Sequence, residues 1–227
     1  MSTRNETGPE AVQQYLRADE PRGWMLLVNP FRRIEGLRAL LLGLLVVADT
    51  VLVAVYGGIA YDGVADLHVP PHPLPPSFLA LLPVTAWLIA AAVLGLAGWL
   101  FSRSRQRVVD YLGMVAVARF PMALLGVLLL PSLLGRYLEP INRLLEQNPP
   151  DLLQRLLHPP GLAALALLSL ISVILVLWTA ALTYFALLEA SGMSKGRALV
   201  VFLGAALVAE VLSKLALIPL ALALGLG

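Results

Sequence analysis

The stretch LRALLLGLLVVADTVLVAVYGGIA, from Leu37 to Ala60, holds a single acid, Asp49, and a single base, Arg38, which stands at its edge. The hydrocarbon core of a bilayer takes about 20 mostly apolar residues wound as a helix, and this run is long enough. The same test is met by residues 78–101, 111–134, 161–188 and 198–226. The second and fourth of the five runs carry no charge, the third carries Arg119, and the fifth carries Glu210 and Lys214. Helices are the expected form, because isolated apolar strands leave their backbone unsatisfied in lipid. The runs also lack the apolar/polar alternation of a membrane barrel.

Composition agrees. The chain has 227 residues, of which 59% are hydrophobic and 13% charged. Soluble domains run to about 25% charged. A soluble domain of this length has too little interior for so much apolar surface. The expected fold is therefore all-α, a polytopic membrane bundle of five transmembrane helices with short interfacial amphipathic helices. Residues 1–23 read as a disordered cytoplasmic tail and residues 24–227 as one membrane domain. The tail is polar and no small-residue cleavage pattern follows the first apolar run, so that run is expected to remain as a span. There are no cysteines, which removes disulfides and thiolate chemistry. Lys and Arg are scattered between apolar blocks, which argues against nucleic-acid binding.

The connections set a direction. Before the first span stand Arg4, Arg17, Arg22, Arg32, Arg33 and Arg38. Residues 61–77 hold no Lys or Arg, residues 102–110 hold Arg103, Arg105 and Arg107, residues 135–160 hold Arg136, Arg143 and Arg155, and residues 189–197 hold Lys195 and Arg197. Basic residues favour the cytoplasmic side. The N-terminus is expected inside the cell membrane and the C-terminus outside.

Two segments are expected on the membrane surface. Asn29-Pro30 is a helix-start signal, and Phe31, Ile34 and Leu37 follow at helical spacing. Arg32 and Arg33 lie between them, placed either to meet anionic headgroups or only to fix topology. In the outer connection 135–160, Leu138, Ile141, Leu144 and Leu145 form one apolar face, and Asp151 can cap a second turn.

An ionisable group inside a bilayer is costly and is a functional candidate by default. Asp49 and Arg119 fall at similar depth on spans that start from the same side, so they are expected to pair. Glu210 and Lys214 stand four apart on one helix face, acid first, and are expected to pair within their helix. Both pairs read either as packing clasps or as a substrate, proton or ion site. Small residues at Ala205, Ala209 and Ser213, and at Ala91 and Gly95, are expected to let helices approach closely. Pro83, Pro121, Pro131 and Pro219 are candidate kinks. Ser169, Ser172, Thr179 and Thr183 are expected to bond to their own backbone. His68 and His72 are four apart, but the prolines at 70, 71, 73, 75 and 76 forbid a helix there, so no metal is expected. No phosphate loop, zinc-protease motif or serine elbow is present. Neither catalysis nor a cofactor is expected.

The pattern resembles a known family. Asn29-Pro30-Phe31 leads into five spans, the third carries Ala118-Arg119-Phe120-Pro121, and a stretch from Leu177-Trp178 through Glu189-Ala190-Ser191-Gly192 to Arg197-Ala198 joins the last two. Together these resemble prokaryotic members of the Yip1 family over roughly residues 28–220. The resemblance implies a five-span fold and association with membrane lipids, with other membrane proteins or with itself. Eukaryotic members are linked to vesicle traffic, Rab-type GTPases and membrane shaping. Their acidic Asp-Leu-Tyr-Gly-Pro type motif is missing here, so that role does not carry over whole. A non-enzymatic scaffold or adaptor is the first expectation. A small transporter or permease component, with a polar site around Asp49, Arg119 and Glu210, is the second.

Overall fold

A computed structural model of the chain describes residues 23, 25–70, 72–102, 107–130, 143, 147, 149–152 and 162–224. Described elements run α1 (Met25–Val28), a 3₁₀ turn (Pro30–Arg32), α2 (Gly36–Gly57), α3 (Pro76–Phe101), α4 (Val108–Ala118), α5 (Phe120–Leu128), α6 (Leu162–Ser191) and α7 (Lys195–Ala223). Among the described residues there is no strand, only an isolated antiparallel bridge between Ala60 and His68. Five helical stretches are long and apolar enough to cross a membrane, with α4 and α5 together making the third. The expected all-α bundle is what forms. The tail before residue 23 and most of the connection 135–160, with its two expected surface helices, lie outside the described residues.

Span ends follow local chemistry. The first span stops at Gly57 rather than Ala60, because Gly58 takes the left-handed conformation (φ 65°) and its N–H closes back on Ala54. The third span breaks where Pro121 denies a hydrogen bond and crowds the preceding turn. Arg119 is the joint: its N–H donates to Ala116, while its carbonyl accepts from Met122 and Ala123. Pro83 and Pro219 sit inside helices that continue past them.

The first and third spans run side by side in the same direction. Their contact is built from glycine. A Cβ on Gly43 would stand 2.5 Å from the Ala116 Cβ, and one on Gly113 would meet the backbone of Ala39 and Leu40. Gly57 faces Leu130, and Gly126 faces Tyr61 and Val53. Hydrophobic driving force between helices vanishes in lipid, so close backbone approach at small residues supplies the packing instead. On the fifth span, Ala205, Ala209 and Ser213 are buried as expected. Thr179, Thr183, Ser172 and Ser213 donate to carbonyls four residues back in their own helices. The outer faces carry exposed Leu, Val, Ile and Trp side chains, as a lipid-facing surface requires.

Candidate functional site

The end of the bundle that carries Gly36 is called the near end here, and the end that carries Gly57 the far end. The polar residues gather at two places, one at each.

At the far end, the connection after the first span folds back into the bundle. Ile59, Ala60 and Tyr61 are buried. The Ala60–His68 bridge, with bonds of 2.9 and 3.0 Å, closes residues 61–67 into a loop. Arg119, only 2% exposed, donates to this loop: from Nη1 to the Val64 carbonyl at 3.2 Å, and from Nη2 to the Gly63 carbonyl at 3.4 Å. Glu210 receives the Val64 N–H at 2.8 Å. It is also the carboxylate near enough to interact electrostatically with Arg119. Non-helical backbone at membrane depth is tolerated only where protein satisfies it, and Arg119 and Glu210 do so. Lys214 then ties the outer rim. Its ammonium lies 2.6 Å from Asp66, 3.5 Å from Asp62 and 3.5 Å from Glu210. The expected Glu210–Lys214 pair forms and is part of this larger group.

Asp49 is the correction. The buried stripe of α2 is Ala39, Gly43, Val47, Thr50, Val53, Ala54 and Gly57, while Asp49 is exposed on the other side. It makes no ion pair with Arg119 among the described residues, and Arg119 holds loop carbonyls in its place. Counting residues along the span could not give its face. In a span that is apolar all round, hydrophobic periodicity no longer marks the inside. Small side chains mark it here. The three residues of the expected polar site therefore do not converge on one cavity: Arg119 is enclosed, Glu210 is at the loop, and Asp49 faces outward.

Tyr61 shares the far-end core. Its hydroxyl is buried without a partner and presses against Gly126. Burial pushes its pKa well above the usual tyrosine value, with Arg119 pulling the other way. Asp62, Asp66 and His68 each present one ligand atom within 4.8 Å of the others. The Lys214 ammonium already lies among those carboxylates, so a metal ion would have to displace it. His72 is not part of this group.

At the near end the ties join side chains to one another and to single backbone groups. Asn29 donates to Glu189 at 2.6 Å, and Arg32 lies 3.5 Å from the same carboxylate. Arg32, expected at headgroups, is thus half-exposed but paired, and Arg33 is exposed. Phe31, between Pro30 and Arg32, is buried against the third and fourth spans. Asp110 accepts the Gly36 N–H at 2.8 Å, so a carboxylate on the third span caps the positive N-terminus of the first. Arg107 grips Asp110 at 2.9 Å and lies 3.8 Å from Glu35. That hydrogen bond raises the Arg107 pKa. Trp178 donates to the Leu27 carbonyl at 2.8 Å and meets Phe120 edge-on. The cap by Asp110 was missed in the sequence, where Asp110 reads only as the charged edge of a span.

These features define the class: a polytopic integral membrane protein whose helices are clasped at both ends by polar residues. A Yip1 domain model matches residues 24–218, and the chain belongs to the Yip1 family. No curated protein and no solved structure matches the chain.

Proposed function

We propose that the protein is a non-enzymatic scaffold or adaptor of the cell membrane, with its N-terminus in the cytoplasm and its C-terminus outside. The supporting observation is what the intramembrane charges do. Arg119, the most buried of them, gives both terminal nitrogens of its guanidinium to the backbone of a folded-back loop, and Glu210 and Lys214 hold the same loop. A transport site needs an ionisable group free to meet its cargo and a path for it. A clasp needs neither. What the bundle offers to its surroundings is its lipid-facing flank and its near end, where Arg32, Arg33 and Arg107 would face anionic headgroups on the cytoplasmic side.

Crosslinking followed by mass spectrometry in native membranes tests this reading. The expected result is a reproducible set of membrane-protein partners. Recovery of lipids and self-contacts alone would overturn the adaptor role. Reconstituted vesicles that accumulate a solute, with accumulation abolished by Arg119→Lys, would replace it with transport.

A further inference from the structure

Asp49 is exposed at mid-helix in the first span and, unlike Lys214 on the fifth, has no ion pair among the described residues. It lies 13 residues into α2, about 20 Å along the axis. A carboxyl group in hydrocarbon, charged or neutral, loses its hydrogen bonds to water and receives none from lipid tails. Such a group is retained where something covers it.

The surface around it is shaped for a cover. Leu42, Leu45 and Val46 precede Asp49 by seven, four and three residues, so all four share one face of α2. Those three residues form one wall of a groove of about 370 Å³, whose other wall is Val117, Phe120, Trp178 and Leu182. Leu26, Leu27 and Pro30 close its near end. The lining is apolar, and Asp49 stands one turn beyond it.

We propose that this face docks a transmembrane helix of a partner protein that carries a Lys or Arg at the depth of Asp49. The partner's apolar side chains would enter the groove beside Phe120 and Trp178, and its cation would meet Asp49. Charge complementarity selects this occupant. An acyl chain would fill the groove and leave the carboxyl group unmatched, while a second copy packed symmetrically would bring Asp49 against Asp49. The inference rests on the adaptor reading and names the surface that would serve it.

The chain has no cysteine, so single-site labels are clean. Photo-crosslinkers placed at Leu45 and Leu52, which are 68% and 55% exposed, would be activated on the full chain in its own membranes, with Leu207 on α7 as a control face. The expected result is an adduct from Leu45 and Leu52, absent from Leu207, with a protein whose span contains a Lys or Arg. Its yield should fall at least tenfold in Asp49→Leu and recover when Asp49→Lys is combined with an acid at the partner's basic position. Asp49→Asn, which keeps the shape, should give an intermediate loss and serves if the leucine variant fails to accumulate. Adducts only with lipid or with a second copy, or a yield indifferent to Asp49→Leu, would overturn the proposal. Partners captured on other faces, with none here, would remove this interface and leave the adaptor reading standing.

Discussion

Glu189 at the near end and Glu210 at the far end each gather several donors, but in different surroundings. Glu189 is 27% exposed and holds the side chains of Asn29 and Arg32, the latter 50% exposed. Glu210 holds a backbone N–H, and its neighbour Arg119, 2% exposed, holds backbone carbonyls. Exposed ion pairs contribute little, because water already solvates both partners. A buried charge has no such alternative, and removing its partner strands it. The near end should therefore adjust its ties cheaply, while the far end stands or falls as a unit.

Arg119→Leu tests this difference most severely. It strands the Gly63 and Val64 carbonyls, and it should cost about 3 kcal/mol or more, read as a lowered unfolding midpoint in detergent. Adding Glu210→Leu should cost less than the sum of the two single changes, because the residues share one loop. Strict additivity would mean that the loop is not held jointly. Gly126→Ala comes next. The new methyl meets the Tyr61 hydroxyl and should displace the loop at a cost of about 1–3 kcal/mol. If its melting matches the unmodified chain, the loop is not seated against the third span.

Glu189→Gln should cost under about 1 kcal/mol, because Asn29 keeps its acceptor and the Arg32 pair is exposed. That small loss should shrink further in high salt, whereas the Arg119→Leu loss should not. The smallest effect at neutral pH belongs to Tyr61→Phe, which removes an unpartnered hydroxyl. Its signature is at high pH. Burial raises the folded pKa of Tyr61 above the usual tyrosine value of about 10, so the stability tied to the neutral phenol is intact below about pH 10 and is lost as pH rises further. Tyr61→Phe should resist unfolding above pH 10 better than the unmodified chain. Parallel pH profiles would show that Tyr61 is solvated rather than buried.

The spans were legible because length and apolarity alone decide them. The near-end signals Asn29-Pro30-Phe31 and the Glu189 stretch were legible as local patterns, though their contact across the fold was not. Glu210 and Lys214 were readable as a helical pair, since four residues fix the geometry. Asp49 was expected on the inner face and lies on the outer one, because Leu and Val on every side leave no apolar period to read. The glycines at 43, 57, 113 and 126 carried the missing information: the face of α2 with Gly43 and Gly57 is the inner one. The folded-back loop was hidden by its own composition, since Asp62, Gly63, Asp66 and a run of prolines look like any polar connection. Nothing local says that Arg119, 55 residues later, will bond to its carbonyls.

That separation has a consequence for how the chain is built. Residues 61–67 leave the ribosome before either of their anchors exists. Val64 waits 55 residues for Arg119 and 146 residues for Glu210. Until the fifth span arrives, the loop's polar backbone can be satisfied only by water or by the insertion machinery. A chain truncated before Glu210 should thus leave residues 61–67 open to proteases, and the last helix to be synthesised is the one that completes a turn made near the beginning.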